Sequence, residues 1–198
     1  MRVHLVRHGA TSWNELGRIQ GSSDIGLSET GFAQAKHLAV SLNEQDVRPT
    51  KVYTSKLRRA LETGNVVADA LDIPLVAIDG LEEINLGDWE GLNWDQVTDR
   101  YPREYAAWTT DRKNCAPPNG ETHGQLVERV VPALKAIVDD NDDNDILVVM
   151  HGFGITCVRC LVNDRDVNDL KEHRIANGQV VTFDEDQIRQ AALLLSRS

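Results

Sequence analysis

Residues 2–9 read RVHLVRHG, a short apolar segment that ends in polar residues. Its apolar part, residues 2–6, has the length and character of a short buried strand. Arg7, His8 and Gly9 follow directly, so polar and reactive groups stand at the carboxyl end of that strand. Ligands of open α/β sheets bind beyond the carboxyl ends of the strands, which makes this junction a predicted binding site.

A second junction of the same kind lies near the end of the chain. Residues 146–150 are wholly apolar and predict a buried strand, which runs directly into His151 and Gly152. Parallel strands place their carboxyl ends at one edge of a sheet, so we expect His8 and His151 to lie at the same rim. The glycine after each histidine lets the backbone approach a ligand closely.

Strand patterns alternate with helix patterns along the rest of the chain. Further strands are predicted over residues 51–54, 74–78, 179–183 and 188–195. Helices are predicted from the N-cap Ser28 to residue 45, from the N-cap Ser55 over residues 56–71, after Pro102, and over residues 93–101, 121–139 and 152–162. This alternation predicts an α/β fold with a mostly parallel sheet, in one domain over residues 1–198.

The strand over residues 51–54 leads into SKLRR at residues 55–59, whose first helical turn can carry arginine to the same rim. Two histidines and two arginines that converge there would form a site for a tetrahedral oxyanion, with a phosphoryl group as the leading candidate. His4 and His8 lack a convincing set of further ligands, so no metal site is expected.

Charge is unevenly distributed along the chain. The 198 residues carry a formal net charge of −10, but residues 1–60 hold nine Lys and Arg against five Asp and Glu. The acidic remainder would repel nucleic acids and anionic membrane surfaces, so neither is expected as a partner. The basic first third permits one small phosphorylated metabolite, bound in a local pocket.

Other features of the sequence predict a reduced, cytoplasmic protein. No apolar run approaches the roughly 20 residues that span a bilayer, and the N-terminus is too short and polar for a signal peptide. Three cysteines do not build a disulfide framework, and Cys157 and Cys160 are expected to be buried small hydrophobic residues. Structural or surface positions are expected for His4, His37, His123 and His173. Trp13, Trp89 and Trp94 are expected either to line a substrate mouth or to pack in the core.

Several blocks of the sequence follow one another in a recognisable order. They are LVRHGATSWN at 5–14, GRIQG at 17–21, LSETG at 27–31, YTSKLRRA at 53–60, LEEI at 81–84, GDWEG at 87–91, PNGET at 118–122 and MHG at 150–152. In these blocks the chain resembles the histidine phosphatase superfamily, in the branch of cofactor-dependent phosphoglycerate mutases and related small phosphatases. The resemblance implies a three-layer α/β/α fold around a mostly parallel sheet.

The resemblance also implies roles for individual residues. His8 matches the nucleophile that becomes phosphohistidine, and Glu83 matches the proton donor, although the neighbouring Glu82 is acidic too. The phosphate clamp, meaning the side chains that hold the phosphoryl oxygens, is expected to consist of Arg7, Arg58 and His151. Arg59 is expected to be a surface or salt-bridge residue rather than a second member of the clamp. Further binding residues are expected at Asn14, Arg18, Gln20 and Gly152.

Three functions remain open at this point: a phosphatase of small phosphomonoesters, a cofactor-dependent phosphoglycerate mutase, and a catalytically silent phosphate-binding module. Mutases of the family carry a longer segment between the acidic glutamate and the second histidine, whereas 67 residues separate Glu83 from His151 here. A more open pocket would admit water, which favours the phosphatase. No metal or other cofactor is expected, and a homo-oligomer is left open.

Overall fold

A five-stranded sheet forms the centre of the computed structural model, which describes residues 1–141, 144–168 and 175–196. The strands are β1 Arg2–Arg7, β2 Lys51–Ser55, β3 Leu75–Ile78, β4 Ile146–Met150 and β5 Val180–Asp184. Their order across the sheet is β3-β2-β4-β1-β5. The first four are parallel and β5 runs antiparallel to β1, which confirms the prediction of a mostly parallel sheet.

Helices cover both faces of this sheet. They are α1 Ser12–Glu15, α2 Glu29–Glu44, α3 Arg58–Leu71, α4 Trp94–Arg100, α5 Pro102–Thr110, α6 His123–Asp139, α7 Gly152–Val162 and α8 Glu185–Leu195. None of these helices, within the described ranges, is long and apolar enough to cross a membrane.

The alternation of side chains along β1 and β4 produces two apolar layers. Leu5 and Val148 pack on one face with residues of α6, α7 and α8. Val6 and Val149 point to the opposite face, where they pack with residues of α2 and α3. The result is the expected three-layer α/β/α arrangement.

The register of β1 and β4 brings the two predicted junctions together. Arg7 pairs with Met150 in the parallel ladder, and the backbone N–H of His8 donates to the Met150 carbonyl at 3.0 Å. The residues that follow each strand, His8 and His151, therefore leave the sheet side by side.

The prediction of a strand over residues 188–195 is wrong, because this segment lies in α8. Ile188 and Ala191 are buried, and Ala192 and Leu195 pack against the same core. Their spacing is that of one helical face. The side chain of Gln187 also accepts a hydrogen bond from the Asp184 backbone N–H at 2.9 Å and so stabilises the start of the helix.

The predicted start of α3 is also wrong. Ser55 is the last residue of β2 rather than a helix N-cap, and the helix begins at Arg58 with Leu57 as N-cap. The Ser55 hydroxyl instead accepts from the Leu57 backbone N–H at 3.3 Å and contacts His151.

Candidate active site

A pocket of about 630 Å³ opens at the carboxyl edge of the sheet. Its polar side is lined by Arg7, His8, Asn14, Arg18, Gln20, Arg59, Glu83 and Gly152. Its apolar side is lined by Leu86, Trp94, Tyr105, Trp108, Phe153 and Ile175. The structure thus brings most of the predicted site residues to one cavity, with His151 buried directly behind His8.

The imidazole of His8 is held in one tautomer. Its Nδ1 lies 2.7 Å from the Gly9 carbonyl oxygen, which can only accept, so Nδ1 carries the proton and Nε2 carries the lone pair. Burial, followed by the charges of Arg59 and Arg7, holds the pKa of His8 well below its usual value. His8 is therefore neutral at physiological pH, with an unprotonated Nε2.

Arg59 is the guanidinium that reaches His8. Its side chain is fully buried, and its Nε donates to His8 Nε2 at 3.2 Å. Nη1 and Nη2 donate to the carbonyls of Ser23 and Gly21, both at 2.7 Å. Burial lowers the pKa of Arg59 to about 10, so it keeps its positive charge at neutral pH.

The expectation that Arg58 joins the phosphate clamp is wrong. Its side chain is 65% exposed, and its Nε donates to Glu62 Oε1 at 2.7 Å on the outer face of α3. Residues 59 and 63 lie one turn apart on the buried face, and Arg58 and Glu62 lie one turn apart on the solvent face. Arg59 lies on the face of α3 that also carries the buried residues Ala60, Thr63 and Val67.

His151 faces His8 from the end of β4, with the two ring centroids 5.2 Å apart. Its Nε2 lies 2.9 Å from the Ser55 hydroxyl, which also accepts from the Leu57 backbone N–H. Nδ1 has no hydrogen-bond partner among the described residues. Burial is the main cause of a pKa well below the usual value. In the tautomer that carries the hydrogen on Nδ1, with the Ser55 hydroxyl donating to Nε2, His151 can offer an N–H to an oxyanion.

Glu83 lines the pocket and is buried, whereas the Glu82 carboxylate accepts from the Gly80 backbone N–H at 2.8 Å. The two Glu83 oxygens accept from the backbone N–H groups of Ile84 at 3.1 Å and Phe153 at 3.2 Å. Burial raises the pKa of Glu83 against the opposing charges of nearby arginines. A carboxyl group in this state can hold a proton and release it.

The segment that carries Glu83 is anchored by Arg129 on α6. Its Nη1 donates to the Glu82 carbonyl at 2.7 Å and its Nη2 to the Glu83 carbonyl at 3.0 Å. The same guanidinium is held by the carboxylate of Glu121, with Nε at 2.8 Å from Oε1. Two loops and one helix therefore fix the position of the acid.

The remaining predicted residues lie around this centre. Asn14 Oδ1 accepts from the Thr11 backbone N–H at 3.1 Å, and Gln20 Oε1 accepts from the Thr11 hydroxyl at 2.8 Å. Arg7 Nη1 donates to the Ile175 carbonyl at 2.7 Å. Arg18 lines the mouth and is exposed, and Gly152 begins α7 beside Arg7.

Sequence reasoning missed two residues in addition to Arg59. Ser55 orients His151, and Asn177 donates from Nδ2 to the His8 carbonyl at 2.9 Å. Nothing in the local sequence marks Asn177, because 169 positions separate it from His8 and only the packing of β5 beside β1 brings it close.

An aromatic wall, made of Trp94, Tyr105, Trp108 and Phe153, closes the apolar side of the pocket. Trp89 is fully buried behind it, with its ring centroid 5.4 Å from that of Trp108. Trp94 therefore lines the mouth, Trp89 packs in the core, and Trp13 contacts Gly91 outside the lining set.

The other expectations on histidine and cysteine concern residues outside the lining. His123 is fully buried and packs edge to face on Phe153, with centroids 5.1 Å apart. His37 is exposed, and His4 is buried against Thr182. Cys157 and Cys160 are free and buried, as predicted. His173 lies outside the described residues.

A buried neutral histidine between two arginines, a second histidine and a protonatable glutamate defines an α/β protein with an oxyanion site built for phosphoryl groups. The sequence of residues 3–197 matches the family described as the histidine phosphatase superfamily (branch 1), and the chain belongs to that family.

Curated relatives and solved structures agree with this assignment. The chain is 35% identical over 152 residues to a metal-independent phosphoserine phosphatase of Arabidopsis thaliana, covering 76% of this chain and 63% of that protein. It is 34% identical to an adenosylcobalamin/alpha-ribazole phosphatase of Salmonella typhimurium, covering 76% and 74% of the two chains. The structure of Bacillus stearothermophilus YhfR superposes with a TM-score of 0.84 at 30% identity, covering 92% and 90%.

The match does not extend over the full length of every relative. The chain spans 63% of the plant protein and 34% of a rat 6-phosphofructo-2-kinase/fructose-2,6-bisphosphatase that it also matches. The chain therefore covers less than two thirds of the length of either protein.

Proposed function

We propose that this protein is a phosphatase that hydrolyses a small phosphomonoester through a phosphohistidine on His8, with Glu83 as the proton donor. The observation that carries the proposal is the tautomer of His8, whose hydrogen bond to Gly9 leaves the lone pair on Nε2 beside Arg59. Its membership of the family and the phosphatases named among its relatives support the same reaction.

In the first step, His8 Nε2 attacks phosphorus, and the bond between phosphorus and the leaving oxygen breaks. The leaving oxygen takes the proton of Glu83, which becomes a carboxylate. Arg7, Arg59 and the Nδ1–H of His151 hold the equatorial oxygens, where negative charge is spread in the transition state.

In the second step, a water molecule attacks the phosphohistidine and gives one proton to the Glu83 carboxylate. The N–P bond breaks, inorganic phosphate leaves, and His8 Nε2 recovers its lone pair while Glu83 is again protonated. The two guanidinium groups supply the positive charge that a metal ion supplies in other phosphoryl-transfer sites, so the proposal includes no metal or other cofactor.

The pocket also constrains the leaving group. The aromatic wall favours an alcohol with an apolar or planar face, and Arg18 at the exposed mouth attracts anionic substrates. A small phosphorylated metabolite meets both conditions. The cytoplasmic location and a homo-oligomeric state stay predictions.

The test combines phosphate release over a panel of phosphomonoesters with acid-quench detection of labelled phosphohistidine. A parallel assay uses 3-phosphoglycerate with bisphosphoglycerate. We expect phosphate release and a labelled enzyme that the His8→Ala variant does not form. Isomerisation with little phosphate release would instead indicate a mutase, and neither turnover nor phosphohistidine would indicate a silent binding module.

A further inference from the structure

We propose that Glu90 is a positioning residue that holds the 21–23 turn, and through it fixes the Arg59 guanidinium beside His8. The inference rests on the proposed function, since it assigns a device that serves the same site. Glu90 follows the 3-10 turn Gly87–Trp89 and lies outside the set of residues that line the pocket. Any effect of Glu90 on the binding of an oxyanion in the pocket would therefore act through another residue.

The carboxylate of Glu90 ties two segments of the chain together. Oε1 accepts from the Ser22 backbone N–H at 2.7 Å and from the Ser22 hydroxyl at 2.9 Å, and Oε2 accepts from the Ser23 hydroxyl at 2.5 Å. Oε1 also accepts from the Leu86 backbone N–H at 3.1 Å. One side chain therefore receives four hydrogen bonds, three of them from the 21–23 turn.

Arg59 binds the same 21–23 turn. The carbonyls of Gly21 and Ser23 accept from Nη2 and Nη1 of Arg59, both at 2.7 Å, and its Nε points to His8 Nε2. A planar guanidinium whose Nη1 and Nη2 are both hydrogen-bonded has a single orientation. If the 21–23 turn moved, the Arg59 guanidinium would therefore move with it.

Close packing leaves the turn and the carboxylate a single arrangement. Gly21 has φ +52°, which favours glycine, and a Cβ added there would lie 2.1 Å from Glu90 Oε1. The glycine therefore allows the carboxylate to approach the backbone that it must hold. The contact explains why a glycine stands at position 21 opposite a glutamate at position 90.

The negative charge of Glu90 also stabilises the positive charge of Arg59. Arg59 is buried, and burial alone disfavours its positive charge. The negative charges of Glu83, when it is ionised, and of Asp24 and Glu90 offset part of that penalty. Loss of Glu90 would thus weaken both the position and the electrostatic support of the clamp.

The test measures binding of orthovanadate, a tetrahedral oxyanion, by isothermal titration calorimetry. We expect Glu90→Ala to weaken binding by about tenfold, because hydrogen bonds that support a charged group are lost. Glu90→Gln keeps the shape of the side chain and one acceptor oxygen, so we expect a smaller loss of orthovanadate affinity. This variant replaces Glu90→Ala in the test if Glu90→Ala does not fold. Glu62→Gln is the matched control, since it removes a carboxylate that also holds a loop N–H, that of Leu27, away from the 21–23 turn.

A double-mutant cycle separates positioning from general stability. In an Arg59→Ala background, Glu90→Ala should weaken binding by less than about twofold, because the residue through which it acts is gone. Undiminished loss in that background, or wild-type binding by both Glu90 variants, would overturn the proposal. The readout needs no turnover, so a failure of the proposed phosphatase reaction would appear separately, as wild-type enzyme that binds orthovanadate but releases no phosphate.

Discussion

Nε of Arg59 lies 3.2 Å from Nε2 of His8, so a buried cation stands directly against the nitrogen that carries the lone pair. Burial, together with the charge of the guanidinium, lowers the pKa of His8 and keeps the imidazole unprotonated. In the proposed mechanism, the same guanidinium would also hold the oxygens of a bound phosphoryl group.

The two neighbouring arginines of α3 should differ sharply in their effect on catalysis. Arg59→Ala is expected to lower kcat/KM for p-nitrophenyl phosphate by about 10²–10³-fold, the effect of losing one preorganised charge donor. Arg58→Ala should change it by less than about threefold, since an exposed ion pair contributes little. Equal losses from both variants would contradict the assignment of Arg59 to the clamp.

The pH dependence of kcat/KM should reflect His8 and Glu83. The pKa of His8 is lowered, so activity should persist below pH 6.5, where an ordinary histidine becomes protonated. The pKa of Glu83 is raised, and its protonated form is needed, so activity should fall as pH rises through that pKa. Glu83→Gln should lower kcat/KM by about 10²–10⁴-fold and remove the alkaline limb. If the fall in activity at alkaline pH were unchanged in Glu83→Gln, it would have to come from the titration of another group.

The stability of the fold should depend on the protonation of His123. Burial is the main cause that lowers its pKa to about 3, while an unfolded histidine titrates near 6.5. As pH falls, the unfolded state therefore takes up a proton on His123 before the folded state does. The free energy of unfolding should decrease by about 1.4 kcal/mol per pH unit between 6.5 and 3. The His123→Leu variant lacks this titrating group and should not show this decrease.

The measurement compares urea unfolding of wild type and His123→Leu at pH 7 and pH 5. The His123 ring packs against the rings of Trp108 and Phe153, so a leucine side chain stays in apolar surroundings at pH 7. The difference in unfolding free energy between the two proteins should shift in favour of the variant at pH 5. A difference that is independent of pH would show that His123 accepts a proton in the folded state as readily as in the unfolded one.

The aromatic wall should select between leaving groups. Trp94→Leu is expected to raise KM for naphthyl phosphate by about tenfold, since an aromatic contact is lost, and to leave KM for glycerol phosphate nearly unchanged. The comparison of the two substrates on one variant controls for general loss of folded enzyme. Parallel losses on both substrates would place Trp94 in the structural core alone.

The placement of Arg58 and Arg59 shows how far sequence reasoning reaches at a helix start. The motif predicts an arginine at the rim but does not distinguish two neighbouring arginines. Adjacent residues of a helix point about 100° apart, so the choice of Arg58 selects a side chain on the exposed face. The error at residues 188–195 has a similar origin, because a short apolar segment fits a strand and a helix until the spacing of its buried positions is counted.

The α/β class, the two strand-to-histidine junctions and the family could be predicted from the sequence, because hydrophobic periodicity and ordered motifs are local properties of the chain. The structure was needed to show that Arg59 meets His8, that Ser55 contacts His151, that Asn177 binds the His8 carbonyl, and that Glu90 binds the turn that Arg59 also binds. These contacts join residues that are distant in the chain. Their partners are therefore selected by the register of the sheet and the rotation of its helices, which no local pattern encodes.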